Sequence, residues 1–260
     1  MPIDSSVLSG TKLRVLRPQL VISDVTGSTN EDAKVLVTRG SSEGLIVVAG
    51  AQTHGRGRLD RIWSSPPGGL YMSIALRPRL GIRNAPLLGL MCGCAVVKAL
   101  RSRLDVLLKW PNDIMYQEKK IGGILSEYLG EVPNLAIVGI GINANFRSDV
   151  LPGPIRECST AILDELGTEI SLNQLFREIV QQVDELLWKV DRARCFEPVI
   201  EEWRGLNCTL GRRIRVNTSE GVIEGVARDI GSDGSLRVTT DDGKRVTVTE
   251  GDVVLLREMV

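Results

Sequence analysis

The chain has a single histidine, His54, and its five cysteines contain no CxxC spacing. Zinc and related centres need several Cys or His ligands at short, regular spacings, so the sequence argues against such a site. An odd number of scattered cysteines is also a poor disulfide framework. We therefore predict buried free thiols in a reducing compartment, at Cys92, Cys94, Cys158, Cys195 and Cys208.

Net charge and long apolar runs are missing as well. The 32 Lys and Arg residues balance 32 Asp and Glu residues, so we expect no overall electrostatic attraction to nucleic acid or anionic membrane. The longest apolar run, residues 85–97, is shorter than the ~20 residues that span a bilayer, and residues 1–10 lack a signal-peptide pattern. We predict a cytoplasmic protein with no nucleic-acid or membrane partner, in which local clusters of cations meet any anionic ligand.

Strand and helix patterns alternate through the first 208 residues, which favours an α+β fold with a mixed β-sheet flanked by helices. The predicted strands are 19–23, 45–49, 70–76, 106–110, 114–116, 121–128 and 136–143. The predicted helices are 29–39, 85–104, 159–166, 171–190 and 195–203. Gly89 and Gly93 in the second helix predict close packing against the sheet.

The sequence pattern changes after Leu210, where five short β-rich segments are separated by Gly/Asp turns. This spacing is typical of a small barrel of about 50 residues. Residues 210–260 contain eight Lys or Arg and nine Asp or Glu. This segment has no excess of positive charge, which argues against nucleic-acid binding. We expect two domains, 1–208 and 209–260.

The most informative segment is the loop Gly55–Trp63, with the sequence GRGRLDRIW. Glycines let a backbone approach a ligand closely, and arginines offer paired hydrogen bonds to carboxylate or phosphate. Trp63 could supply an aromatic face for a ring. A solvent-exposed basic loop explains the arginines equally well.

Two further segments carry weaker signals. Lys109 ends a predicted strand and is followed by the turn Pro111-Asn112-Asp113, which suits either an electrostatic role or an ordinary hairpin. Alternate glycines in Gly139–Asn143 leave one strand face bare for a flat ligand, although a bulge or tight packing would also require them.

Taken in order along the chain, these motifs closely resemble the biotin protein ligase family. The resemblance depends on Thr26–Asn30 (TGSTN), Gln52 with Gly55–Trp63, Lys109–Asp113 (KWPND), Gly122–Glu127 (GGILSE) and Gly139–Asn143 (GIGIN). It implies a catalytic domain over residues 1–208 followed by a small SH3-like β-barrel over residues 209–260. It further implies adenylation of biotin by ATP with Mg²⁺, and transfer of biotin to a lysine of a biotin carboxyl carrier domain.

The resemblance also assigns residues to roles. Those implied to bind biotin are Ser28, Thr29, Gln52, Gly55, Arg56, Lys109, Gly123 and Gly141. Those implied to bind ATP or the adenylate are Arg58, Arg61, Trp63, Asn112 and Asn143. Lys109 and Arg58 are the implied catalytic residues. The metal ligands stay unassigned, with Asp113 a candidate.

The match is incomplete at one position and leaves alternatives open. Asp60 stands where the family's loop commonly has glycine, which puts the ordering of the loop in doubt. A lipoate or octanoate ligase of the same fold and a non-catalytic biotin sensor remain alternatives, and Arg257 could either reach the nucleotide or be surface charge. About 20 residues precede the first predicted strand, so we expect no N-terminal DNA-binding domain. A monomer or weak homodimer is expected.

Overall fold

A computed structural model describes residues 3–77, 79–81, 84–129 and 135–256. Within them the chain forms a seven-stranded mixed sheet with helices and a five-stranded antiparallel sheet, which confirms the predicted α+β class. Arg257 lies outside the described residues.

The larger sheet has the strand order β1-β2-β3-β7-β6-β5-β4. Its strands are β1 (Gln19–Thr26), β2 (Leu45–Gln52), β3 (Leu70–Leu76), β4 (Val106–Lys109), β5 (Asp113–Tyr116), β6 (Lys119–Leu129) and β7 (Leu135–Ile142). The pair β1 and β2 is parallel and the other pairs are antiparallel. Since a parallel pair needs a crossover, helix α1 (Thr29–Thr38) connects β1 to β2.

Helices cover both faces of this sheet. Ala33 and Val37 of α1 pack on one face in a small apolar cluster with residues of β2, β3 and β7. Helices α2 (Ala85–Leu100), α5 (Leu172–Ala193) and α6 (Glu197–Gly205) contribute to the main core on the other face. As predicted, glycines in α2 allow close packing: a Cβ on Gly89 would lie 2.6 Å from Ser126 Oγ.

The smaller sheet has the order β11-β10-β9-β8-β12. Its strands are β8 (Arg213–Thr218), β9 (Gly221–Ile230), β10 (Leu236–Thr240), β11 (Arg245–Val248) and β12 (Asp252–Leu255). The two sheets meet at Trp110, which is 1% exposed and whose indole Nε1 donates to Gly234 O at 3.0 Å. The smaller sheet is therefore packed against the larger unit.

Two details differ from the sequence predictions. The helix predicted over 159–166 is wrong at its start: α3 (Gly153–Cys158) precedes a break, and α4 (Ile162–Leu166) follows it. The backbone of residues 159–160 is instead bonded to the sheet, where Thr160 N donates to Lys120 O at 2.9 Å. Helix α2 also ends at Leu100, four residues before the predicted end.

The prediction of free thiols is confirmed, but their uniform burial is wrong. Cys92 and Cys94 are buried in α2, where burial raises the pKa of both thiols, that of Cys92 to about 12. Cys158 is exposed at the end of α3, and Cys195 is exposed in the connection between α5 and α6. Among the described residues, no helix is long and apolar enough to span a bilayer.

Candidate functional site

A cavity of about 390 Å³ opens on the sheet beside the Gly55–Trp63 loop. With the exception of Gly55, the residues assigned from the sequence line it: Ser28, Thr29, Gln52, Arg56, Arg58, Arg61, Trp63, Lys109, Asn112, Asp113, Gly123, Gly141 and Asn143. Five of its lining side chains are cationic and three are anionic, although the whole chain is neutral. The expected local cluster of cations is therefore present.

One end of the cavity is neutral and polar, and the ends of two parallel strands build it. Gln52 closes β2 beside the end of β1, which positions its side chain against the start of α1. The Gln52 amide oxygen accepts from Thr29 N at 2.8 Å and lies 3.1 Å from Thr29 Oγ1, while its Nε2 donates to Ser65 Oγ at 2.8 Å. Ser28, the residue before α1, is buried beside them. This array can both donate to and accept from a neutral polar ring.

A second polar layer lies beneath this array and was missed from the sequence. Ser73, fully buried in β3, lies 2.7 Å from Thr29 Oγ1 and 2.5 Å from Asn30 Oδ1. Asn30 Nδ2 in turn donates to Glu127 Oε2 at 2.7 Å. A serine in the middle of the otherwise apolar β3 was the available signal, since buried hydroxyls require partners.

Glycines on neighbouring strands keep the floor of the cavity flat. Gly123 on β6 pairs with Gly141 on β7, and Trp63 lies over both: a Cβ on Gly141 would be 2.5 Å from Trp63 Nε1, and one on Gly123 would be 3.2 Å from the Trp63 ring. Gly55 stands behind this tryptophan, since a Cβ there would be 2.4 Å from Trp63 O. The sequence placed Trp63 on the adenine side, but here it contacts the glycines assigned to biotin.

The Trp63 indole N–H is buried and has no hydrogen-bond partner among the described residues. An unsatisfied buried donor costs about 1–3 kcal/mol. A ligand acceptor on the glycine floor would remove that cost.

The arginine loop is held from two sides. Arg56 forms an ion pair with Glu31 on α1 and lies 3.6 Å from Glu127. On the other side, Arg58 Nη1 donates to Gly251 O at 3.1 Å, and Arg61 pairs with Asp252 of β12. The smaller sheet therefore contacts the loop directly, a contact that the sequence did not predict.

The loop's central turn explains the departure at Asp60. Leu59 and Asp60 have φ values of 54° and 55°, in the left-handed region that glycine adopts at least cost. Asp tolerates this region better than most residues, and the Asp60 side chain is 97% exposed. The turn therefore forms without the glycine.

Two lysines share one carboxylate at the cationic end of the cavity. Lys109 Nζ lies 2.8 Å from Asp113 Oδ2, and Lys120 Nζ pairs with Asp113 Oδ1. Burial alone would raise the pKa of Asp113, but Lys120 and Lys109 outweigh it and hold the pKa below its usual value. Lys120 was missed from the sequence because it lies one residue before the predicted strand 121–128.

Both oxygens of Asp113 bind lysine amines, and its candidacy as a metal ligand stays a prediction. Among the residues described, no group of three or more His, Cys, Asp or Glu side chains could hold a metal ion. In this arrangement Asp113 anchors the two lysine cations.

The two asparagines assigned to the nucleotide are fixed by the backbone. Asn112 Nδ2 donates to Ile124 O at 2.8 Å, and Asn143 Nδ2 donates to Thr160 O at 2.9 Å. Asn143 is only 3% exposed. Both line the cavity in fixed orientations, and their contacts with a nucleotide stay a prediction.

Comparisons with known proteins agree with these features. Residues 23–145 match the Biotin/lipoate A/B protein ligase family, and residues 209–256 match the Biotin protein ligase C terminal domain. The bifunctional ligase/repressor BirA of Bacillus spizizenii is 32% identical over 92% of this chain and 75% of its own length. The biotin–[acetyl-CoA-carboxylase] ligase of Mycobacterium tuberculosis is 28% identical over 92% of this chain and 90% of its own length.

Among solved structures, the biotin protein ligase from Aquifex aeolicus in complex with biotin and ATP superposes with a TM-score of 0.79. It is 31% identical, and the match covers 92% of this chain and 99% of that one. The chain thus belongs to the biotin protein ligases of the biotin/lipoate A/B protein ligase family.

Proposed function

We propose that the chain is an ATP-dependent biotin protein ligase that forms biotinyl-5'-AMP and transfers biotin to a lysine of a biotin carboxyl carrier domain. The observation that carries this proposal is a single cavity with a neutral polar end at Thr29 and Gln52 and a cationic end at Lys109. Biotin has the same polarity, with a ureido ring at one end and a carboxylate at the other.

The neutral end suits a ureido group because each polar atom of a buried urea needs a partner. Thr29 Oγ1 and the Gln52 amide supply both donors and acceptors within hydrogen-bonding distance of each other. A dithiolane ring, as in lipoate, offers no N–H donor or carbonyl acceptor for these groups to bind. The site therefore favours biotin over lipoate.

The cationic end suits the first half-reaction. A carboxylate oxygen of biotin attacks the α-phosphorus of ATP, the bond to the β-phosphate oxygen breaks, and pyrophosphate leaves with the electron pair. Both reactants are anions, so this step needs cations and orientation rather than a general base. Lys109 and the arginines of the loop supply those cations, and Mg²⁺ would enter bound to the phosphates of ATP.

In the second half-reaction the amine of the carrier lysine attacks the acyl carbon of the mixed anhydride. The amide bond forms, the bond between the acyl carbon and the phosphate oxygen breaks, AMP leaves with the electron pair, and the proton lost by the amine passes to solvent. We also propose the domain division 1–208 and 209–260, which the match of residues 209–256 supports.

Pyrophosphate release on mixing the protein with Mg·ATP tests this proposal, with biotin, lipoate and octanoate run in parallel. A burst near one equivalent with biotin alone, which resumes when a biotin carrier domain is added, is the expected result. A burst with lipoate but not biotin would instead indicate a lipoate ligase. Biotin binding without any release would indicate a sensor.

A further inference from the structure

A break in strand register brings Lys120 to the cavity. Gly123 pairs with Asp113 and Gly122 with Ile114, but Met115 pairs with Lys120 rather than with Ile121. Ile121 is thus an extra residue, as in a β-bulge, and it is fully buried in the core. Bulges re-aim side chains and are common beside active sites.

The bulge reverses the alternation of faces. In a regular strand Ile121 would share the face of Gly123, and Lys120 would point into the core. With the extra residue, Lys120 shares the ligand face instead: its Nζ lies 3.4 Å from the position of a Cβ on Gly123. A lysine that was only solvent-exposed would not require a bulge at this position.

Lys120 is held inward rather than left to reach solvent. Long lysine side chains usually extend toward water, yet the Lys120 side chain is 29% exposed while its neighbour Lys119 is exposed. Asp113 binds it from one side, and its Nζ lies 5.3 Å from the centre of the Trp63 ring. The ammonium group is therefore fixed over the glycine floor.

Two ammonium groups share one carboxylate at this spot. Asp113 carries one negative charge and faces two ammonium groups, those of Lys109 and Lys120. Asp113 can neutralise only one of these two ammonium groups at the place where, on the proposed function, two anions must meet. A single lysine would be neutralised by Asp113, so the second restores the cationic character of the site.

We propose that Lys120 is a second catalytic lysine, whose ammonium group binds the junction of the biotin carboxylate and the α-phosphate together with Lys109. This inference rests on the proposed function and extends it to a residue outside the assigned set. Lys120 screens the repulsion between carboxylate and phosphate before the new bond forms. It then holds the charge on the phosphate of the mixed anhydride while pyrophosphate departs.

Lys120→Met tests the proposal, with Lys120→Arg as the conservative variant and Lys119→Met as the matched control. Two quantities are measured: the rate of biotin-dependent pyrophosphate release, and the affinities for biotin and for its neutral amide by calorimetry. The amide keeps the ureido and thiophane rings but has no carboxylate. A contact with the anion therefore changes the ratio of the two affinities, whereas a structural role changes both affinities alike.

We expect Lys120→Met to slow pyrophosphate release about 10²-fold, the size of effect typical of a lost charge-stabilising donor. It should lower the preference for biotin over the amide about 10-fold without weakening the amide, as one charge-assisted contact would. Lys120→Arg should retain most of the activity, and Lys119→Met should match the wild type.

Equal losses for biotin and the amide, unchanged rates in Lys120→Met, or the same defect in Lys119→Met would overturn the proposal. Failure of the proposed function is a separate outcome, because the wild type itself would then release no pyrophosphate with biotin. In that case calorimetry still gives the ratio of biotin affinity to amide affinity for the wild type and Lys120→Met, because binding needs no turnover.

Discussion

At the scale of single residues, the cationic end of the cavity depends on Lys109. It ends β4, where the sheet fixes its backbone, and Asp113 fixes its amine at 2.8 Å. Position and charge are thus both set before substrate arrives, which is how preorganised electrostatic groups lower a barrier.

Replacing Lys109 by alanine is expected to slow adenylation about 10²–10³-fold while the fold is retained. Stopped-flow detection of pyrophosphate measures the rate, and circular dichroism checks the fold. Lys119→Ala removes an equal charge from the exposed surface of β6 and should leave the rate unchanged. Normal adenylation in Lys109→Ala would remove this residue from the mechanism.

The ion pairs of Asp113 predict a pH dependence of stability. Because the pKa of Asp113 is lowered in the folded state, the pairs stabilise the protein above the unfolded pKa of about 3.9 and this stabilisation is lost as the pH falls through the folded pKa. Asp113→Asn should reduce the free energy of unfolding by about 2 kcal/mol at neutral pH.

Urea unfolding of the wild type and Asp113→Asn across a pH series measures this difference. The difference in the free energy of unfolding should be constant from about pH 5 to 8, because Asp113 is ionised there in both the folded and the unfolded protein. It should shrink below about pH 4, where the carboxylate becomes protonated. A difference that grows on acidification would contradict the assigned pairing.

At the scale of elements, the bare glycine face of β6 and β7 sets the shape of the site. Gly139 has a structural reason as well, because a Cβ there would lie 2.3 Å from Asn30 Oδ1. Asn30 connects Glu127 to the hydroxyl pair beneath Gln52, so a push on Asn30 would disturb the polar end of the cavity.

Gly139→Ala should therefore weaken biotin binding about 10-fold and destabilise the protein by about 1–3 kcal/mol, the usual cost of overpacking. Calorimetry with biotin and thermal unfolding measure the two effects. Gly205→Ala is the control, since a Cβ at the end of α6 meets nothing within 4 Å. Unaltered biotin affinity in Gly139→Ala would show that the Asn30 layer does not support the site.

The elements were also the level at which the sequence was most informative. Apolar β2, β3 and β7 and the glycine-rich α2 were predicted because burial on both sides leaves a continuous apolar pattern. The bulge before Gly122 could not be predicted, because a register shift depends on the partner strand. Lys120 was missed because it lies just before the predicted strand 121–128 and outside the motif Gly122–Glu127, and the shift that turns it toward the cavity is seen only in the structure.

At the scale of the whole molecule, the smaller sheet contributes to the site through the loop. Asp252 of β12 pairs with Arg61 and lies 3.9 Å from Arg58, so a carboxylate of one sheet occupies arginines that the proposed mechanism offers to phosphate. This arrangement required the packing of the two units and left no signal in either segment alone.

Asp252→Asn should loosen the ligand-free loop. Because partly exposed ion pairs contribute about 0.2–1 kcal/mol, tryptic cleavage after Arg58 and Arg61 should accelerate by up to about five-fold. Biotin and ATP together should protect the variant and the wild type equally. Asp242→Asn, which removes an exposed carboxylate paired with Lys244, is the control. Equal cleavage of the ligand-free Asp252→Asn and wild-type proteins would show that the contact does not restrain the loop.

The central claim is that this chain attaches biotin to a carrier protein through an adenylate. The most direct measurement is single-turnover transfer from enzyme preloaded with radiolabelled biotin and ATP, separated from free nucleotide, to an isolated biotin carrier domain. The account predicts that label moves to the carrier as AMP appears, and that a carrier whose acceptor lysine is replaced by arginine stays unlabelled. Label that remains with the enzyme, or that reaches the carrier without its acceptor lysine equally well, would contradict it.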